Sequence, residues 1–165
     1  MATISEVKTK ISGRSRLNRF RVNLPTPTGT VEEVMIKASA LPGRTTESIE
    51  VKHKGATIKL GGDPKYNDWK VEVYGEDYAE YQKFFNWMDL VGETVLNTRG
   101  DPLTYKVDGV KVEQLGTQNE VISTAWLYGV FPTDVGDISY DHEQGELVKF
   151  EVTFSLDSIR FEAGA

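Results

Sequence analysis

Cysteine is absent from this chain of 165 residues, which excludes disulfides, thiol nucleophiles and thiolate metal sites together. Histidine occurs only as His53 and His142, so imidazole metal sites and acid–base relays have little material to draw on. No H-E-x-x-H or G-x-S-x-G pattern occurs, and no glycine-rich phosphate loop precedes a helix. No apolar run approaches the ~20 residues of a membrane-spanning helix, and the opening MATISEVKTK lacks a hydrophobic signal core. The expectation is a soluble, unexported chain without cofactor or metal. Its excess of 25 acidic over 19 basic residues, net −6, argues against a general polyanion binder.

What is present is β-strand alternation. Phe150, Val152, Phe154 and Leu156 alternate with Glu151, Thr153 and Ser155, which sets four large apolar groups on one face of a half-buried antiparallel strand. Trp69, Val71 and Val73 repeat the pattern, as do Phe20, Val22 and Leu24 up to a Pro25-Thr26-Pro27 turn. A further strand carries Val34, Ile36, Ala38 and Ala40 on one face. Val121 to Val130 reads as a strand that turns into the last one through Phe131-Pro132-Thr133-Asp134 and Gly136-Asp137, because proline lacks an N–H and glycine and aspartate accept turn conformations. Val107-Asp108-Gly109-Val110 has the chemistry of a tight hairpin turn.

Residues 44–66 read as a long hairpin, with Ile49 and Val51 on one arm, a turn at Lys54-Gly55, and Ile58 and Leu60 on the other. Its basic residues Arg44, Lys52, Lys54, Lys59 and Lys65 outnumber Glu47, Glu50 and Asp63. An exposed edge of that length is an aggregation hazard unless charge blunts it or another chain covers it. Residues 77–91 predict the one convincing helix: Asp77 and Glu80 form a capping-box-like pair, and Tyr81, Phe84, Phe85 and Met88 follow at helical spacing, with Gly92 past the end. Residues 1–17 have little periodicity, and Ser12-Gly13 argues against a continuous helix, so they read as an arm that is mobile unless a partner orders it. The chain is expected to form one domain over 1–165, mainly β: an antiparallel sandwich or barrel-like body, one flanking helix, the projecting hairpin, and C-terminal strands over 121–161.

Charge is unevenly spread. The N-terminal 19 residues carry Lys8, Lys10, Arg14, Arg16 and Arg19 against Glu6, whereas 133–146 carries Asp134, Asp137, Asp141, Glu143 and Glu146 without Lys or Arg. This acidic loop lacks the spacing of an EF-hand and reads as a solvated or partner-facing surface. The arm and hairpin show no base-stacking or groove-reading pattern. Catalysis would have to come from scattered carboxylates and hydroxyls with no recognisable constellation. Aromatic residues lining a small-ligand cavity in a β-barrel binding module remain a second reading.

Four stretches together resemble the tail tube protein of contractile-tailed bacteriophages: Asn18-Arg19-Phe20-Arg21-Val22, ASALPGRTTESIEVKHKGATIKLGGDPKYNDW, WKVEVYGEDYAEYQKFFNW and GVFPTDVGDISYDHEQGELVKFEVTFSLDSI. The resemblance spans nearly the whole chain and rests on the order and spacing of these pieces. It implies a non-enzymatic virion subunit, assembled in the host cytoplasm into hexameric rings that stack as a hollow tube inside a contractile sheath, with a baseplate and a tail terminator as further partners. DNA would pass through without specific binding. Inner-tube proteins of R-type pyocins, contractile injection systems and type VI secretion are related settings. By resemblance the 44–66 hairpin reaches toward the adjacent ring. Arg44, Ile49, Val51, Lys52, Lys54, Ile58 and Lys59 are then the stacking residues, and Asp134, Asp137 and Asp141 are their acidic counter-surface, paired by opposite charge. A channel wall sharing the chain's negative excess would repel DNA rather than hold it.

Overall fold

Phe150, Val152, Phe154 and Leu156 sit at the centre of the core, none more than 8% exposed. The structure, a computed structural model, describes residues 3–11, 18–31, 36–75, 78–143, 145 and 147–163. In chain order its elements are α1 (Ile4–Ile11), β1 (Phe20–Thr26), β2 (Gly29–Val31), β3 (Ile36–Ala40), β4 (Arg44–His53), β5 (Ala56–Tyr66), β6 (Trp69–Tyr74) and α2 (Ala79–Val91). A two-residue pair, β7 (Gly92–Glu93) and β8 (Thr98–Arg99), precedes α3 (Pro102–Tyr105), β9 (Val110–Leu115), β10 (Val121–Tyr128), β11 (Phe131–Val135), β12 (Lys149–Ser155) and β13 (Ser158–Ala163).

The body is an antiparallel β-sandwich. One sheet has the order β13-β10-β9-β1-β2 and the other β11-β12-β6-β3. Their inward faces, Val22, Leu24, Val110 and Leu127 from the first and Val71, Val73, Val152 and Phe154 from the second, join one core with Phe84 and Trp87 of α2. The aromatic rings meet edge-on or tilted, Phe154 lying 5.0 Å from Trp69 and 5.7 Å from Trp87 between centroids. Both buried indoles satisfy their N–H: Trp69 donates to Ser39 Oγ at 2.9 Å and Trp87 to the Tyr105 carbonyl at 2.7 Å. Each such side chain contributes roughly 1.5–3 kcal/mol through burial.

Several expectations change. Phe131–Val135 is a strand, not a turn: β11 is the edge of its sheet, where the missing N–H of Pro132 leaves no ladder bond unmade, and a register shift between Pro132 and Asp134 absorbs the ring. β10 therefore does not turn into the last strand. It pairs with β13, beyond β12, while β11 pairs with β12 in the other sheet. The crossing between sheets occurs at Gly129 (φ 66°), opposite Gly109 (φ 83°). There Asp108 accepts the Gly129 N–H at 2.8 Å, and Val107 bridges Val130. Asp108-Gly109 is thus a kink along one strand path rather than a hairpin turn, because Val107 and Val110 on either side of it face successive positions of one continuous stretch, Val130 just past the crossing and Leu127 in β10.

β1 runs through Pro25 and Thr26, and the chain turns at Pro27-Thr28 into β2. In β3 a register shift between Ile36 and Ala38 breaks the expected alternation, so Ile36 is buried and Ser39 meets the Trp69 indole; Val34 lies outside the described residues. Within the 1–17 arm, α1 is a helix with a reciprocal cap: the Thr3 N–H donates to Glu6 Oε2 at 2.8 Å and the Glu6 N–H to Thr3 Oγ1 at 3.4 Å. Ser12-Gly13 and the anticipated cap Asp77 lie outside the described residues. α2 starts from Tyr78 in the left-handed region without a side-chain cap. Its buried face is Glu80, Phe84 and Trp87, one step round from the expected one, which leaves Phe85 exposed.

Candidate assembly surface

The hairpin β4–β5 is a two-stranded sheet of its own, and every residue of β4 is exposed. Its turn residues Lys54 (φ 47°) and Gly55 (φ 80°) both have positive φ, the geometry that matches the twist of the flanking strands. Near the root, a register shift opposes Glu47 to Gly62, whose missing Cβ would otherwise lie 2.9 Å from the Glu47 carbonyl oxygen. The root itself is held by the Asn67 N–H donating to the Gly43 carbonyl at 2.9 Å and by Arg44 lying 5.7 Å from the Tyr66 ring centre.

Cross-strand register separates the hairpin into two chemically distinct faces. Ile49 pairs with Leu60 and Val51 with Ile58, so four aliphatic side chains share one face, each 44–54% exposed. The opposite face carries Glu50 paired with Lys59, their charges 3.8 Å apart, and Lys52 opposite Thr57. Lys65 pairs with Glu47 at 3.4 Å. Among the described residues no salt bridge engages Lys52 or Lys54. The structure thus brings Ile49, Val51 and Ile58 together, adds Leu60, and puts Lys52 and Lys59 behind them, with Lys54 at the tip and Arg44 at the root. The stripe is readable once the Lys54-Gly55 turn is fixed, because the turn dictates which residues stand opposite one another.

The acidic residues are less concentrated. Asp134 is exposed on the edge strand β11. Asp137 and Asp141 flank a shallow depression with Tyr140 and Leu147, and Lys149 lines it too, so the surface is not uniformly acidic. Asp141 accepts the Glu143 N–H at 2.9 Å and is engaged locally. The Tyr140 hydroxyl pairs with that of Tyr78, and this contact raises the Tyr140 phenol above its ordinary range. Among the described residues no three histidine or carboxylate side chains cluster as an ion site.

Strand edges unpaired among the described residues are the other assembly feature: β13 and β2 bound one sheet, β11 and β3 the other. The aromatic residues that a binding-module reading would place around a cavity instead fill the core, with Trp69, Phe84, Trp87 and Phe154 fully buried against one another. His53 and His142 are exposed, at the end of β4 and in the loop before β12.

No protein-family model matches the chain. Over 124 residues it is 32% identical to "Tail tube protein gp19" of Enterobacteria phage T4, an alignment covering 73% of this chain and 76% of that protein. The corresponding protein of Enterobacteria phage T6 aligns with the same identity and coverage. Among solved structures, a chain of the sheath–tube complex of an extracellular contractile injection system, PVC, in its extended state has the same fold: TM-score 0.70, 17% identity, and 99% of each chain covered. A chain of the anti-feeding prophage tube-terminating cap superposes with TM-score 0.70 at 16% identity, covering 93% of this chain and 94% of that one.

Proposed function

This chain belongs to the tail tube protein family of contractile-tailed bacteriophages, and from that premise we propose that it assembles into hexameric rings stacked as a hollow conduit for DNA inside a contractile sheath. The observation that carries the reading is the hairpin: a two-stranded ribbon whose four aliphatics stay about half exposed among the described residues gains stabilising cover from a neighbouring copy. Four open strand edges add main-chain donors and acceptors that lateral neighbours can satisfy. The subunit is structural, without enzymatic activity, and becomes part of the virion tail after assembly in the host cytoplasm. The sheath–tube, baseplate and terminator settings of its structural relatives support sheath, baseplate and tail terminator as the partners here.

DNA passes without specific binding. Basic side chains on the outer sheet faces sit close to carboxylates, Lys37 3.4 Å from Glu72, Lys70 3.8 Å from Glu151 and Arg21 3.6 Å from Glu113, which limits the counterion-releasing contacts they offer to phosphates.

The hairpin reaches the adjacent ring, where Lys52 and Lys54 meet the acidic surface of Asp134, Asp137 and Asp141. Reversing both charges, Lys52→Glu with Lys54→Glu, tests this axial pairing by sedimentation and electron microscopy of template-nucleated assemblies. Single rings that no longer stack are the expected product. Tubes of unchanged length at unchanged protein concentration would remove charge pairing from the account.

A further inference from the structure

The register of the four-stranded sheet fixes which parts of the chain lie at each of its ends. β12 runs from Lys149, opposite Tyr74, to Ser155, opposite Phe131, and β6 runs the other way from Trp69, opposite Phe154. The hairpin leaves the sheet between the end of β3, where Ala40 faces Lys70, and the start of β6, so its root stands at the Phe154 end. The acidic loop joins β11 to β12 at the Phe150 end, where the Gly75 N–H donates to the Val148 carbonyl and the Gly136 N–H to that of Glu151. Helix α2 runs alongside β12 between these ends: Tyr81 meets Phe150, and Trp87, further along, meets Phe154.

Exposed apolar side chains stand at both ends of α2. Past its C-terminus, Val95 and Leu96 occupy the turn between β7 and β8, beside Asn97 in the left-handed region (φ 50°), and Leu103 stands in α3; they are 89%, 67% and 92% exposed. Turns draw on Gly, Pro, Asn, Asp and Ser for their backbone conformations, and valine and leucine add only apolar surface. This knob stays at the hairpin end, because the Trp87 indole donates to the Tyr105 carbonyl and the Tyr105 ring meets Phe131. At the opposite end, Tyr78 just before α2 touches Tyr140 through their hydroxyls, and Leu147 lines the same depression as Tyr140; all three are 58–69% exposed.

We propose that the Val95/Leu96/Leu103 knob of one copy packs on the Tyr78/Tyr140/Leu147 patch of a copy in the adjacent ring. The inference rests on the tube reading and adds an apolar axial contact beside the charged one.

The occupant of the patch is a second copy for three connected reasons. α2 alone spans about 20 Å at ~1.5 Å per residue, which keeps the knob away from the patch of its own chain. Copies stacked head to tail present the knob end of one to the patch end of the next, and a contact between two different surfaces of the same molecule repeats without closing, the geometry of a filament. The patch also adjoins Asp137 and Asp141, which line the same depression, so it continues the surface assigned to Lys52 and Lys54. Three aliphatic side chains cover far less than the ~800 Å² per partner of a stable pairwise complex. The contact therefore does not hold two free chains together and takes effect within stacked rings, where it repeats once per subunit.

The absence of cysteine makes the test direct. Leu96→Cys combined with Leu147→Cys puts one thiol on the knob and one on the patch, both at exposed positions. Template-nucleated tubes of this variant are treated with a short bismaleimide cross-linker and run on a denaturing gel beside each single-cysteine variant. A ladder from the double variant that continues past six chains is the expected result, since each copy is joined to one above and one below. Tubes that give only monomer bands would overturn the contact while leaving the tube reading intact, and a ladder ending at six would make the contact lateral and overturn the axial assignment. As a check independent of cross-linking geometry, Val95→Asp with Leu96→Asp should raise the critical concentration for assembly about tenfold or more with an unchanged denaturation midpoint; assembly at the wild-type concentration would overturn the proposal. If wild-type protein yields no polymer even on a template, the tube reading falls and this contact falls with it.

Discussion

Replacing Val51 and Ile58 together with threonine separates apolar cover from every other property of the hairpin. Threonine is β-branched, so strand preference survives, and the two residues stand directly opposite each other, so one cross-strand pair changes as a unit. In the isolated chain they are 44% and 50% exposed, and roughly half of each side chain's contact with water remains to be removed by a neighbour. Full burial of such a side chain is worth about 1.5–3 kcal/mol, so the remaining half is worth about 1 kcal/mol each and about 2 kcal/mol for the pair. At 1.4 kcal/mol per decade, that corresponds to a critical concentration for assembly about thirtyfold above wild type. The assay is pelleting of template-nucleated polymer across a dilution series, with denaturant unfolding of the unassembled protein alongside. Stability of the body should hold, since the hairpin forms its own sheet outside the core. An unchanged critical concentration would refute the reasoning and leave the aliphatic face exposed in the assembled state.

Phe154→Ala removes a fully buried ring that touches Trp69, Phe84 and Trp87, and should destabilise the chain by about 3–5 kcal/mol out of the ~5–15 kcal/mol typical of a domain. Tryptophan fluorescence in denaturant reports it directly, and a loss under ~1 kcal/mol would mean the aromatic cluster is not the packing centre. The α1 cap should depend on pH: the Thr3 N–H donating to Glu6 holds that carboxylate below its ordinary value of 4.5. A depressed folded-state pKa stabilises the helix above 4.5 and loses that contribution as pH falls through the lowered value. The Thr3 amide resonance should inflect below pH 4.5 and cease to titrate there in Glu6→Gln; inflection at or above 4.5 would contradict the cap.

Period-two alternation was a reliable guide where a strand has one wet and one dry face. β12, β6 and the two arms of the hairpin were legible for that reason, down to the positive-φ turn at Lys54-Gly55. Pro132 was misleading because its meaning depends on whether its strand is an edge, and that is set by β11 pairing only with β12, a long-range fact. Asp108-Gly109 carries the chemistry of a hairpin turn, yet Val107 and Val110 on either side of it face one continuous stretch of chain from Val130 back to Leu127, so the glycine serves a kink. The cap of α1 is present in the sequence as Thr3-Ile4-Ser5-Glu6, a signal the reading of residues 1–17 as an arm leaves out because their apolar residues show little periodicity. Of the candidate surface, the stripe follows from turn and register alone.

Electron microscopy of the purified chain on a matching template, with sedimentation across concentrations, decides whether the chain polymerises into a tube. Hollow filaments of uniform width whose end views show six subunits, forming above a critical concentration, are the expected result. A species that stays monomeric at every concentration, template included, would contradict it.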